Sequence, residues 1–368
     1  MSNDPRDGVT PAGPDIPADG RADGPGDGTG SGPGDSHTAP RAHSPSGDTV
    51  TTTLPESLPH QSSAVAPPRH GSGAVARILT ALYALVVTPI ATGLLAYGGS
   101  TLMNYGMSRG YLGASLGELL AGPAGVRIIV GVGLGVLLLA SIVATGIFSS
   151  AGLLATGAVG LLSVLIAAVP VLTLQLYTLL PPAIPFQLLD GISYGLTLVL
   201  HPLIGGLGVA LVIARRRPAA TLVASLLGLL LLPAGLLIAA LMLFHGHAAG
   251  VRVAVMTFSP EIHPLNVTLV VLGALLLYAT MAATRWSPYA LVIPAIVLLL
   301  LSVGVFLFTI ELIPPVVWTS PSGQAAMSFL FVGGGFAAAV VMLVHTGVLA
   351  IVRALSRRRL RTAAGAPG

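Results

Sequence analysis

The segment that decides the fold reads VRIIVGVGLGVLLLASIVATGIF over residues 126–148, followed by AGLLATGAVGLLSVLIAAVPVLTLQLYTLL over residues 151–180. Arg127 is the only charged residue in either stretch. Each stretch exceeds the roughly 20 apolar residues that a helix needs to cross a hydrocarbon core about 30 Å thick. Only Ser149 and Ser150 separate them, so the pair predicts two membrane-spanning helices or one long broken helix.

The rest of the chain has the same character. Of 368 residues, 54% are hydrophobic and only 8% are charged, whereas about a quarter of a soluble protein is charged. We therefore expect an all-α integral membrane protein with about eight transmembrane helices. The expected spans are residues 75–98, 126–148, 151–180, 191–214, 219–244, 265–284, 288–311 and 327–352.

Composition divides the chain into three parts. Residues 1–73 are rich in Pro, Gly and Asp and too poor in apolar residues to form a core, which predicts a disordered cytoplasmic tail. Residues 74–354 form the predicted polytopic transmembrane domain. Residues 355–368 form a predicted basic cytoplasmic tail.

The arginines predict the orientation, because cytoplasmic loops of membrane proteins are enriched in basic residues. With eight spans and both termini cytoplasmic, arginines on the outer side are Arg109, Arg127 and Arg252. Those on the cytoplasmic side are Arg69, Arg77, Arg215, Arg216, Arg217, Arg285, Arg353, Arg357, Arg358, Arg359 and Arg361. This bias predicts a multi-pass protein of the cytoplasmic membrane.

The two halves of the predicted bundle show signs of duplication. Arginine clusters follow the fourth and the eighth span, and a shift of 144 residues superposes His201 on His345. Four spans in each half would make the repeats parallel, which is one arrangement found among transporters.

Polar and helix-breaking residues within the spans predict a substrate path. Ionisable residues are costly in lipid and normally face the bundle interior. Interrupted helices in corresponding halves point to a transporter's binding site, so helix breaks are expected near His201 and at residues 333–335. The candidate path residues are His201, His345, Pro202, Gly205, Gly206 and Glu311.

A second hypothesis places a metal in an outer loop. His245, His247, Glu261 and His263 supply imidazole and carboxylate groups of the kind that bind zinc. The spacing matches no closed zinc motif, and solvated loop residues are the alternative. No other cofactor is predicted, and the absence of cysteine excludes disulfides and thiolate sites.

Catalytic motifs are weak. Gly191, Ser193 and Gly195 fit the G-x-S-x-G pattern of a hydrolase nucleophile, but that motif requires a strand before the turn. Here it opens a predicted membrane helix. The chain also has no phosphate-binding loop or dinucleotide fingerprint. We therefore predict that it is not an enzyme.

Two functions remain. The leading hypothesis is a transporter or permease-like protein, and the alternative is a non-catalytic scaffold or accessory subunit of a cell-envelope complex. Expected partners are the lipid bilayer and other membrane proteins. Nucleic acid is not expected, because the arginines do not form an aromatic-interleaved basic face. No motif in the sequence identifies a family.

Overall fold

A computed structural model describes residues 71–112, 116–179, 181, 190–216, 221–258, 261, 263–287, 289–307 and 315–364. Every regular element within these ranges is helical, as the sequence predicts. The predicted tail up to residue 70 lies outside the described residues.

The α-helices, in chain order, are α1 (Gly71–Leu112), α2 (Leu116–Ala121), α3 (Pro123–Ile128), α4 (Leu134–Ala144), α5 (Ala151–Ala168), α6 (Pro170–Leu179), α7 (Asp190–Ser193), α8 (Leu196–Arg216), α9 (Leu222–His247), α10 (Val253–Thr257), α11 (Pro264–Ala283), α12 (Val292–Leu307), α13 (Pro315–Thr319), α14 (Pro321–Phe331) and α15 (Gly334–Ala364). A first π-helical turn (Ile129–Gly133) joins α3 to α4, and a second π-helical turn (Ala248–Arg252) joins α9 to α10. A short 3₁₀ turn, Thr145–Ile147, ends the α4 segment.

Within the described ranges, seven helical segments are long and apolar enough to cross a membrane. They are Gly73–Tyr105, Pro123–Ile147, Ala151–Ala168, Leu196–Arg216, Leu222–Val255, Pro264–Ala283 and Gly334–Arg358. The seventh predicted span corresponds to a shorter apolar helix, Val292–Val305. Large apolar side chains such as Leu137, Leu161 and Leu230 are exposed on the outer helix faces, as expected where lipid replaces water.

The packing of α4 on α1 is antiparallel. Tyr83 on α1 shares a 2.6 Å hydrogen bond with Ser141 on α4. Further along α1, a Cβ atom placed on Gly98 would lie 2.9 Å from the Cα atom of Gly131, before α4 begins. Moving forward along α1 therefore means moving backward along the α4 segment.

The packing of α5 on α1 is parallel instead. A Cβ atom on Gly152 would lie 2.8 Å from the carbonyl oxygen of Thr80. Higher on both helices, the hydroxyl oxygens of Thr88 and Thr156 are 3.0 Å apart. Because α4 and α5 run in opposite directions along the same neighbour, the predicted second and third spans are two helices joined by a tight turn.

Helix α8 is the most enclosed of the long segments. Of the residues in its apolar window, 78% are buried, and it packs against α5, α11 and α15. At its crossing with α5, a Cβ atom on Gly205 would lie 2.5 Å from the Cα atom of Gly157. Only glycines permit backbones to approach so closely.

The break expected near His201 lies elsewhere. α8 runs unbroken through His201 and Pro202, and the interruption is at Tyr194–Gly195, just before α8. Membrane helices tolerate an internal proline where the surroundings satisfy the backbone groups that it frees. Pro202 is buried within the bundle, and its nitrogen lies against Gly160 of α5.

The beginning of α1 and the final turns of α15 lie at one end of the bundle. Gly73 of α1 and Leu355 of α15 line the same cavity, together with Ser150 and Arg215. α15 continues through Ala364, so the first residues of the predicted basic tail extend this helix. We call this the arginine-rich end.

Candidate functional site

Two of the helix breaks lie beside each other, and the first of these separates α7 from α8. Gly195 has a φ of 73°, a left-handed conformation that glycine adopts without steric cost. Its backbone nitrogen donates to the Ile192 carbonyl at 3.0 Å, and its own carbonyl accepts from Val199 at 3.1 Å. The chain thus closes one short helix and begins the next within a single turn.

The second break separates α14 from α15 and lies where the sequence places one. Gly333 has a φ of 81°, and its carbonyl accepts from the Ala337 nitrogen at 2.9 Å to begin α15. The two breaks are neighbours, because a Cβ atom on Gly334 would lie 2.7 Å from Leu196 Cδ2. The sequence pattern at residues 191–195 therefore marks a helix break between α7 and α8.

Helix α1 and the first π-helical turn press against the second break. A Cβ atom on Gly99 would collide with the carbonyl group of Val332. A Cβ atom on the adjacent Gly98 would lie 2.7 Å from the backbone nitrogen of Val132 in the first π-helical turn. Two consecutive glycines thus let α1 contact two irregular segments at the same level.

His247, at the end of α9, binds the first break. Its Nε2 atom lies 2.9 Å from the backbone carbonyl oxygen of Ser193. Because a carbonyl only accepts, Nε2 carries the proton and donates it. The other ring nitrogen, Nδ1, is buried and has no hydrogen-bond partner. This leaves an acceptor at the break, on a side chain that is only 1% exposed.

A hydrogen-bonded chain of side chains lies on the other side of Ser193. The Tyr177 hydroxyl donates to Asp190 Oδ1 at 3.2 Å and lies 2.7 Å from Ser193 Oγ. Since the Tyr177 proton goes to the carboxylate, Ser193 is the donor in the second bond. Burial raises the pKa of Asp190 above its ordinary value, an effect partly offset by the bond from Tyr177.

Arg252 supplies a positive charge beside this cluster. It lies in the second π-helical turn, and its Nη1 atom is buried without a hydrogen-bond partner. A cavity of about 400 Å³ is lined by Arg252 together with Thr257, Thr319 and Gln324. Tyr194 lies within electrostatic range of both Asp190 and Arg252. We call Tyr177, Asp190, Ser193, Tyr194, His247 and Arg252 the break cluster.

The predicted path histidines are both buried in the bundle. His201 Nδ1 lies 3.1 Å from Ser163 Oγ, and its Nε2 has no partner. His345 Nε2 lies 3.4 Å from Thr284 Oγ1, and its Nδ1 has no partner. Each therefore keeps one unused ring nitrogen inside the protein.

The other predicted path residues have packing contacts. Pro202 adjoins Gly160, Gly205 lies against Gly157, and a Cβ atom on Gly206 would lie 2.6 Å from Met281 Cβ. Glu311 lies outside the described residues.

The four predicted zinc ligands do not converge. His245 and His247 lie on the same helix, but His245 is exposed while His247 is buried. Glu261 and His263 are both exposed, and Glu261 Oε2 lies 3.8 Å from His263 Nε2. In the part of the chain that the structure describes, no group of three or more His, Asp or Glu side chains is placed to hold a metal.

The sequence analysis considered Ser193 only as the nucleophile of a hydrolase motif. It did not identify Tyr177 or Tyr194 as functional candidates. Their signal was the occurrence of several polar residues around the junction of the third and fourth predicted spans. Comparisons with protein-family models, with curated proteins and with solved structures find no match for this chain.

Proposed function

We propose that this chain is a transport-type membrane protein that binds a small polar solute at the break cluster. The observation that carries the proposal is the meeting of two broken helices and two π-helical turns around buried, incompletely hydrogen-bonded side chains. Non-helical backbone at membrane depth is tolerated where it lies within protein or lines a cavity. Transporters bind substrates at such discontinuous helices.

The unused groups define the chemistry of the solute. His247 Nδ1 is an acceptor and Arg252 Nη1 is a charged donor, and both are buried without partners. Leaving such groups unpaired costs free energy that a ligand can recover. A solute with both a hydrogen-bond donor and an anionic or carbonyl acceptor would match the chemistry of these two groups.

Two further features support a membrane protein with eight crossings. Residues near the start of α1 and in the later half of α15 line one cavity, which favours an even number of crossings. Seven segments are long enough, and α12, which packs along α15, supplies the eighth. The arginine bias supports placing both termini on the cytoplasmic side of the cell membrane.

The test uses the absence of cysteine from the chain. Ser193→Cys places one thiol in the break cluster, and Ser163→Cys places one beside His201 deeper in the bundle. We expect a charged, membrane-impermeant thiol reagent to label S193C in both right-side-out and inside-out vesicles, because a transporter exposes its site to each side in turn. If S163C is labelled from one side only, the thiol beside His201 lies outside the site that is exposed to both sides.

Leu230→Cys is the matched control, because Leu230 is 73% exposed on the outer face of α9 and would meet lipid. It should remain unlabelled from both sides. If S193C reacts from one side alone, or from neither, alternating access is wrong and the scaffold hypothesis gains support.

A further inference from the structure

A second cavity lies at the arginine-rich end and belongs to no part of the break cluster. Its volume is about 760 Å³. The start of α1, the turn between α4 and α5, and the ends of α8 and α15 form its walls. It is therefore a junction of five of the long apolar segments.

The cavity is basic. Arg77, Arg215 and Arg216 line it, with Ser149 and Ser150 between them. No acidic side chain is among the described residues that line it. A cavity walled by arginines and hydroxyl groups favours an anionic ligand with several acceptor oxygens, since guanidinium groups donate in a fork that matches phosphate.

Backbone hydrogen bonds hold one of these charges in place. Arg215 donates to the carbonyl oxygen of Gly146, to that of Ile147 at 3.3 Å and to Ser150 Oγ at 3.3 Å. These bonds satisfy carbonyls at the end of the α4 segment and fix the guanidinium in the cavity wall. Arg77 and Arg216 are exposed, so their guanidinium groups can turn toward a ligand.

The N-terminus of α5 adds to the positive potential. Ala151 begins this helix of 18 residues and lines the cavity. The Ala151 nitrogen donates to Ser149 Oγ at 3.2 Å, and the side chain of Ser150, at the N-cap position, makes no capping bond. The partial positive charge of a helix N-terminus therefore lies beside the arginines.

The rim of the cavity is apolar. Phe148 is 79% exposed and Leu154 is 37% exposed, and both line the cavity. Val75 and Ile78, on the adjacent turns of α1, are exposed as well. A basic pocket bordered by lipid-facing side chains matches both parts of a phospholipid, the phosphate headgroup and the upper acyl chains.

We propose that this cavity binds the headgroup of an anionic phospholipid through Arg77, Arg215 and Arg216. Basic pockets between transmembrane helices on the cytoplasmic side bind anionic headgroups by this chemistry. The volume of the cavity is far larger than one inorganic phosphate requires. A soluble anion would also make no favourable contact with the apolar rim. The site is independent of the transport proposal, because the break cluster contributes nothing to it.

The experiment measures lipid binding to the purified full-length chain in detergent by native mass spectrometry. Phosphatidylglycerol, which is anionic, and phosphatidylcholine, which is zwitterionic, are titrated separately. We expect the chain to bind phosphatidylglycerol at lower concentration. The double variant Arg77→Gln/Arg216→Gln should weaken that binding about 30-fold, at about fivefold for each basic residue.

The double variant Arg127→Gln/Arg357→Gln is the control, because it removes the same charge without touching the cavity lining. It should bind phosphatidylglycerol like the unmodified chain, and both variants should unfold at the unmodified temperature without lipid. Equal weakening in the two variants, or equal binding of the two lipids, would overturn the proposal. Inorganic phosphate that binds as tightly as phosphatidylglycerol would assign the cavity to a soluble anion instead.

Discussion

At the scale of single residues, the two left-handed glycines give the sharpest expectation. A side chain at Gly195 or Gly333 would have to adopt a positive φ, which costs about 1–2 kcal/mol. We expect Gly195→Ala and Gly333→Ala each to lower the free energy of unfolding by about that amount. Denaturant unfolding in detergent, followed by circular dichroism, measures the change.

Gly347 is the matched control for these substitutions. It lies inside α15, and a Cβ atom placed on it would meet nothing within 4 Å. Alanine is the better helix former, so Gly347→Ala should stabilise the chain by about 0.5–1 kcal/mol. Destabilisation of all three variants to the same extent would show that the breaks are not where the structure places them.

Asp190 predicts a dependence of stability on pH. Burial raises its pKa above the ordinary 3.8, so the folded chain holds this proton more tightly than the unfolded chain. The stability contributed by the protonated carboxyl is complete below pH 3.8 and is lost as the pH rises through the folded-state value.

The variant Asp190→Asn cannot ionise, so its stability should not fall as the pH rises. It keeps a side-chain oxygen that can accept the hydrogen bond from Tyr177. We expect it to be more stable than the unmodified chain at pH 7 and equally stable below pH 3.8. Unfolding curves across this range provide the measurement. An advantage that does not change with pH would show that Asp190 is not the titrating group.

The residue scale is also where sequence reasoning is weakest. The predicted candidates His201 and His345 are buried with unused nitrogens, but Tyr177 and Tyr194 carried no motif. Their role depends on the approach of α6 to α7, which brings Tyr177 within hydrogen-bond distance of Asp190 and Ser193. When polar side chains from different helices come together, their spacing along the sequence follows no helical period.

At the scale of helices, the register of α5 along α1 can be tested by crosslinking. The hydroxyl oxygens of Thr88 and Thr156 are 3.0 Å apart, so Thr88→Cys/Thr156→Cys should form a disulfide under mild oxidation. Thr92→Cys/Thr156→Cys moves one thiol along α1 by about one turn, roughly 5.4 Å, and should crosslink far less. Crosslinking of the second pair in preference to the first would contradict this register.

Helix existence was predictable because long uncharged segments are a strong signal. The helices α1, α4, α5, α8, α9, α11 and α15 each overlap a predicted span, although α1 and α15 extend well beyond theirs. The positions of the helix breaks were less predictable. Gly333 is broken where expected, whereas the break expected near His201 occurs at Tyr194–Gly195. A proline within an enclosed helix leaves the helix intact, and the sequence does not reveal how neighbouring helices enclose it.

At the scale of the whole molecule, the common position of the first and last helix ends predicts topology. We expect epitope tags at the N- and C-termini to be digested by protease in inside-out vesicles and protected in right-side-out vesicles. The arginine distribution and the shared cavity both lead to this outcome. Digestion of the two tags in different preparations would establish an odd number of crossings.

The burial of α8 has a consequence for how the protein is made. α8 leaves the ribosome before α11 and α15, yet it packs against both. During synthesis its glycine-lined faces therefore meet lipid or a chaperone until the later helices arrive. A chain that stops before Gly334 would lack α15. One side of α8 would then remain unpacked, and the first break would lose its contact with the second. Quality-control proteases of the membrane would then receive a fully inserted but unassembled product.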